Sequence, residues 1–121
     1  MKIKFANGTE FTYSNAFETE EYHSGASRRT LSIQCDKGVI SIDELDTIIS
    51  NETNTKQIQL TNEEENITNI YDGYTLKLKC GIEKQLVKNE TSESPAVYAD
   101  KLIFKLGKPT YIEHQLKKLG F

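Results

Sequence analysis

The stretch Ile70-Tyr71-Asp72-Gly73-Tyr74-Thr75-Leu76-Lys77-Leu78-Lys79-Cys80-Gly81-Ile82 carries the strongest pattern in the sequence. Its Asp-Gly pair stands between two tyrosines, which is typical of a two-residue type I′ hairpin turn because both central residues of that turn need a positive φ. From Tyr74 to Ile82 every second residue is apolar, so one face of the following strand is expected to be buried. The stretch therefore predicts a β-hairpin on whose apolar face the other elements assemble.

Further strands are predicted on both sides of this hairpin. Asn7-Gly8 separates two alternating segments and predicts a first hairpin at the N-terminus. The segment 14–27 loses the alternation and is interpreted as a loop, with a short strand near Phe17 left open. Alternating or apolar runs predict the remaining strands at 28–35, 58–61, 67–71 and 97–106.

Two helices are predicted from capping boxes, in which a hydroxyl and a carboxylate three residues apart bind the first free amides of a helix. Ser41 and Glu44 form one such pair and predict a helix at about 41–50. Thr110 and Glu113 form the other and predict a helix at about 110–119, with Gly120 as the residue that ends it. Apolar residues at helical spacing follow both boxes.

The chain of 121 residues has the length of a single domain, 1–121. Its order of elements predicts an α+β fold with a mostly antiparallel, strongly curved β-sheet of about six to seven strands and two short helices. Cys35 and Cys80 fall at inward positions of predicted strands, which favours free, buried thiols; a disulfide between them stays open as the alternative.

Composition and charge narrow the classes of partner. The net charge of −3 argues against general affinity for nucleic acid, which needs an excess of Lys and Arg. No segment approaches the roughly 20 apolar residues that span a bilayer, and Met1–Phe5 lacks the apolar core of a signal peptide, so no membrane association or export is expected. A homo-oligomer stays open.

No motif for catalysis is present. The sequence has no nucleophile elbow, no CxxC pair and no His pair at metal-ligand spacing, so no catalytic residue, metal or cofactor is predicted and no enzymatic activity is expected.

One cluster has the composition of an anion site. Ser24, Gly25 and Ser27 offer hydroxyls and backbone amides directly before Arg28 and Arg29, and arginine recognises phosphate through its planar fork. The alternative is a plain loop that leads into a strand, because the spacing matches no known phosphate-binding loop.

Three segments together resemble a known class of protein. They are Arg29-Thr30-Leu31-Ser32-Ile33, Ile70-Tyr71-Asp72-Gly73-Tyr74 and Leu106-Gly107-Lys108-Pro109-Thr110-Tyr111-Ile112-Glu113. In these segments the chain resembles small proteins encoded in the tail modules of phages and prophages of Gram-positive bacteria. The resemblance implies a structural or interaction role in a virion or in its assembly, without catalytic residues. It also implies a location in the virion or in the cytoplasm of the host cell.

Two functional hypotheses follow. The first is a non-enzymatic phage or prophage protein of the tail or baseplate that acts by protein–protein contacts. The second is a phage anti-defence protein that inhibits a host effector, such as a CRISPR nuclease, or sequesters an anionic nucleotide at Arg28-Arg29. In the second case the acidic runs Glu18–Glu21 and Glu63–Glu65 would imitate a phosphate backbone, with solvated turns as the alternative interpretation of both runs.

Overall fold

The computed structural model describes residues 1–23, 25–110, 113, 115, 116, 119 and 120. Strands and short helices account for most of these residues. In chain order they are β1 (Lys2–Phe5), β2 (Glu10–Thr12), β3 (Asn15–His23), β4 (Ala26–Asp36), α1 (Ile42–Ile49), α2 (Glu52–Thr55), β5 (Gln57–Asn62), β6 (Ile67–Asp72), β7 (Leu76–Lys88) and β8 (Val97–Gly107).

The described strands form two antiparallel sheets of four strands each. The first sheet has the order β2-β1-β5-β6 and the second has the order β3-β4-β8-β7. The α+β class is confirmed. The expectation of one strongly curved sheet with six to seven strands is wrong, because the described residues form eight strands in two sheets that are not strongly curled. Alternation shows which face of a strand is buried, but it does not show which strands are neighbours.

The core lies between the two sheets. Ile3 and Phe5 of the first sheet meet Leu31 and Phe104 of the second, and the rings of Phe5 and Phe104 lie 6.2 Å apart between centroids. The other fully or nearly buried members from the strands are Ile33, Cys35, Ile58, Leu60, Leu102 and Leu106. Since apolar side chains from both sheets share one cluster, the sheets stack face to face as a sandwich.

Helix α1 confirms the first predicted helix. The Oγ atom of Ser41 accepts a hydrogen bond from the amide of Glu44 at 3.1 Å, as expected for an N-cap. Leu45 and Ile49 are buried in the same core as the strands. The sequence analysis did not predict α2, a single turn whose N-cap Asn51 accepts a hydrogen bond from the amide of Thr53.

The second predicted helix lies partly outside the described residues. Glu113, Gln115 and Leu116 are helical, whereas Tyr111, Ile112, His114, Lys117, Lys118 and Phe121 are not described. The capping box itself is confirmed in both directions. The amide of Thr110 donates to Glu113 Oε1 at 3.0 Å, and the amide of Glu113 donates to Thr110 Oγ1 at 3.3 Å.

The hairpin predicted at Asp72-Gly73 is wrong. Strand β6 pairs with β5 in the first sheet and β7 pairs with β8 in the second, so the segment between β6 and β7 crosses from one sheet to the other. Gly73 does have a positive φ of 82°, but Asp72 does not, since Asn66 is the only non-glycine residue with positive φ in the described part of the chain. A type I′ turn needs positive φ at both positions.

The alternation predicted for β7 holds only in its second part. Cys80 and Ile82 lie opposite Phe104 and Leu102 and face the core, but a bulge between Lys77 and Lys79 shifts the register. A bulge adds one residue to a strand and so reverses the side to which the preceding residues point. Leu76 therefore lies opposite Gly107 on the outer face, and Leu78 is 36% exposed rather than buried.

Strand β3 corrects the loop predicted at 14–27. It has nine residues and pairs along its whole length with β4. Charged and polar residues lie on both of its faces, because it forms an edge of the second sheet and most of it extends beyond the core. An edge strand needs no apolar alternation, which explains why the pattern did not reveal it. The other predicted strands, including the N-terminal hairpin β1–β2, are confirmed.

Candidate functional site

Of the described residues of the predicted anion site, Gly25 lies in the turn between β3 and β4, and Ser27, Arg28 and Arg29 belong to β4. Ser24 is not among the described residues, and Gly25 is exposed in the turn with a φ of 82°. The hydroxyl of Ser27 donates to Glu20 Oε1 at 3.1 Å, across the strand pair. The structure does not bring the two arginines together, because consecutive residues of β4 point to opposite faces of the sheet.

Arg28 lies on the outer face of the second sheet and is mostly buried. Its Nη2 atom donates to Glu113, and 13% of its side chain is exposed. The aliphatic part crosses Gly107, where a Cβ atom would come within 2.8 Å of Arg28 Cδ and 3.0 Å of Leu78 Cδ1. The ion pair between Arg28 and Glu113 thus connects the start of β4 to the segment after β8.

Arg29 lies on the inner face, at the border of the core. Its Nη2 atom donates to Glu18 Oε1 at 2.6 Å, and the hydroxyl of the buried Tyr74 donates to the other oxygen of Glu18. Lys108 Nζ lies 5.2 Å from the centre of the Tyr74 ring, within the range of a cation–π interaction. These four residues are called the Glu18 network below.

The Glu18 network has shifted ionisation equilibria. The hydrogen bonds from Arg29 and then from Tyr74 lower the pKa of Glu18, because they stabilise the carboxylate. Burial, with the hydrogen bond to Glu18, raises the pKa of Tyr74 to about 12. The hydrogen bonds of the network connect β3, β4 and the crossing before β7. Both oxygens of the Glu18 carboxylate already accept hydrogen bonds, and Tyr74 stays protonated. The network offers neither a free base nor an acid that titrates near neutral pH.

A second candidate is the far end of the β7–β8 pair. Strand β4 accompanies β8 only as far as Lys101, whereas β7 and β8 remain paired beyond it. Residues 84–88 and 97–100 therefore form a two-stranded ribbon, called the ribbon below. Its apolar side chains are strongly exposed: Leu86 50%, Val87 52%, Val97 44% and Tyr98 61%.

An apolar groove of about 560 Å³ lies at the base of the ribbon. Ile82 and Leu102 of the two strands line it together with Ile40 and Ile42 at the start of α1. Leu86 and Tyr98 lie directly opposite each other in the ribbon, on the same face as Ile82 and Leu102. Groove and ribbon thus form one apolar strip, interrupted by the cross-strand pair Lys84 and Asp100.

These strands were predicted from the sequence, but the strip was not predicted as a site. The signal was present in the pairs Leu86-Val87 and Val97-Tyr98. Two consecutive residues of a strand point to opposite faces, so an apolar pair puts one apolar side chain on each face. Where the strand ends beside a polar loop, at least one of these two side chains is exposed. An exposed apolar cluster of this kind marks a binding surface more often than isolated apolar residues do.

Among the described residues, no group of three or more His, Cys, Asp and Glu side chains is arranged to hold a metal ion. The same residues contain no helix with the length and hydropathy required to cross a bilayer. A scan against protein-family models, a search of curated proteins and a search of solved structures found no match to this chain.

Proposed function

We propose that the protein is a non-enzymatic component of a phage or prophage tail or baseplate and acts by protein–protein contacts. The observation that carries the binding role is the apolar strip formed by the groove and the ribbon. The resemblance of three sequence segments to small tail-module proteins supports the phage context. The closed hydrogen-bonding of the Glu18 network supports the absence of catalysis, because no reactive group there is left without a partner.

The strip has the chemistry of a protein-binding surface. Tyr98 and Leu86 are 61% and 50% exposed and lie opposite each other, and Ile82 continues the strip at 41%. Tyrosine is enriched in the centre of interfaces, since it combines a large apolar area with a hydroxyl and loses little conformational entropy. Asp100, which interrupts the strip together with Lys84, forms an ion pair with Lys37 at 3.7 Å. Interfaces usually combine apolar area with a few such polar groups.

The test uses the products of the genes that flank this one, because proteins of one tail module are encoded together. Each product is purified and titrated by calorimetry against the wild-type protein and against the variants Tyr98→Ser and Leu86→Ser. We expect one product to bind, and each substitution to weaken binding by about 30-fold, as for a residue at the centre of an interface.

Ile70→Ser is the matched control. Ile70 is 56% exposed but lies on β6, at an edge of the first sheet. It should bind like the wild type. Equal affinities for all variants would contradict the strip as the binding surface. Flanking genes unrelated to tails, or tail-gene products none of which bind, would contradict the tail or baseplate role.

A further inference from the structure

The outer edge of β7 is a strand edge with free backbone groups. Within the described part of the chain, β7 has β8 as its only strand neighbour. It has 13 residues, more than any other described strand, and Leu78, Ile82 and Leu86 on it are 36%, 41% and 50% exposed. A long edge with exposed apolar side chains is a template for pairing with another strand.

The charges along this edge are symmetric about Gly81. Lys79 and Glu83 lie two residues to either side of Gly81, and all three residues point to the outer face of the second sheet. The two charged side chains form an ion pair with each other over Gly81. Gly81 has open space around the position of a Cβ atom and no positive φ. In an antiparallel pair of two identical strands centred on Gly81, Lys79 of each strand would face Glu83 of the other.

We propose that two copies of this chain pair antiparallel through β7, with the two-fold axis at Gly81. Lys79 then lies opposite the partner's Glu83 on one face, and Cys80 lies opposite the partner's Ile82 on the other. The second sheets of the two copies join into one continuous sheet. The occupant of the edge is a second copy because a single strand carries both halves of the charge complementarity.

Neighbouring registers fit less well. Opposite residues of an antiparallel pair must point to the same face, so the symmetry centre must coincide with a residue. A centre at Glu83 or at Lys84 would place like charges directly opposite each other, which is destabilising. A centre at Ile82 would place Glu83 opposite Gly81. A centre at Cys80 would place Lys77 opposite Glu83 by number, but the bulge between Lys77 and Lys79 leaves these two side chains on different faces of the sheet. Gly81 is therefore the centre that gives two directly opposed ion pairs on one face.

This pairing is independent of the proposed function. It uses the backbone edge of β7, whereas the apolar strip is a face of the ribbon and of the groove. The two ribbons would lie at opposite ends of the joined sheet, and their two strips would lie on the same face of it. Loss of dimerisation and loss of partner binding can therefore be measured separately.

The first experiment is sedimentation equilibrium of the full chain up to about 1 mM, where even an interaction with a Kd near 1 mM is populated. We expect a monomer–dimer equilibrium for the wild type. Lys79→Glu and Glu83→Lys should each raise the dissociation constant at least tenfold, because each places like charges opposite each other twice. The double variant Lys79→Glu/Glu83→Lys should restore the dimer.

Lys4→Glu on β1 is the matched control, since it makes the same charge change on the first sheet. It should leave the equilibrium unchanged. A wild-type protein that is monomeric throughout overturns the proposal, and so do single variants that dimerise like the wild type.

The second experiment tests the register. In a Cys80→Ala background, Gly81→Cys should form a disulfide between two copies under air oxidation, because directly opposite Cα atoms lie about 4.5–5.5 Å apart. Gln85→Cys is the control, since its two copies would be separated by eight residues, about 27 Å along the strands. A dimer that cross-links equally well at both positions, or only at position 85, would refute the pairing centred on Gly81.

Discussion

At the scale of single residues, the side chains around Glu18 show how polar groups at the border of the core are paired. Tyr74 is 1% exposed, and a buried hydroxyl needs a hydrogen-bond acceptor. Glu18 supplies it from an edge strand, and Arg29 neutralises the carboxylate from the neighbouring strand. Both arginines of the predicted anion site bind carboxylates of the protein, Arg29 that of Glu18 and Arg28 that of Glu113, and they lie on opposite faces of the sheet.

The Glu18 network predicts a dependence of stability on acid pH. The pKa of Glu18 in the folded protein lies below its ordinary value of 4.5, so the folded state binds fewer protons than the unfolded state in this range. The stabilisation is fully present above pH 4.5 and is lost as the pH falls through the lowered pKa. Urea unfolding at several pH values should show this loss in the wild type and a smaller one in Glu18→Gln, which has no carboxylate to titrate.

Tyr74→Phe completes this test. It removes a hydrogen bond to a carboxylate and should lower the free energy of unfolding at neutral pH by about 1.5–3 kcal/mol. If Glu18→Gln loses as much stability on acidification as the wild type, other carboxylates govern the acid transition.

The two thiols should differ in reactivity. Cys35 is 0% exposed, and burial raises its pKa to about 12, whereas Cys80 is only partly buried and its pKa is raised as well, also chiefly by burial. The thiolate is the reactive form, so both should react slowly in the folded protein and Cys80 should react first. Labelling with a thiol reagent before and after unfolding, followed by mass spectrometry of the peptides, measures this order. Faster labelling of Cys35 would contradict its place in the core.

At the scale of elements, the sequence predicted what local patterns determine. The N-cap of α1 and the hairpin β1–β2 follow from Ser41 and from Asn7-Gly8, because caps and tight turns depend on a few neighbouring residues. Strand β3 and the bulge in β7 did not follow. The first is defined by its pairing with β4, and the second by its pairing with β8, in which Leu78 has no opposite residue.

Gly73 tests the crossing between the sheets. Its φ of 82° is a conformation that β-branched residues rarely adopt, so Gly73→Val should destabilise the protein by about 1–3 kcal/mol. Gly73→Asn is the control and should cost less, because asparagine tolerates positive φ. Thermal melts followed by circular dichroism give both values. Equal melting temperatures for the wild type and Gly73→Val would show that the backbone relaxes there without cost.

At the scale of the whole molecule, the stacking of two sheets could not be read from the sequence. The alternation of apolar residues shows which face of β1, β4, β5 and β8 is buried. The same faces would be buried in two facing sheets and in one closed sheet, so the alternation does not distinguish these two architectures. The apolar strip was missed for a related reason. Its exposure depends on where β4 ends beside β8, at Lys101, and that is a property of strand lengths in three dimensions.

The order of strands also determines when the molecule can fold during its synthesis. Each sheet contains strands that are far apart in sequence. Ile3 pairs with Leu60 and Leu31 pairs with Leu106, so neither pair can form before the later residue has been made. Contacts between residues so distant in sequence slow folding, since a long loop must close before any of them forms. On the ribosome, β4 stays without its central neighbour β8 until residues 97–107 have been made. During that interval the backbone edge of β4 that later pairs with β8 is open to chaperones and to other nascent chains.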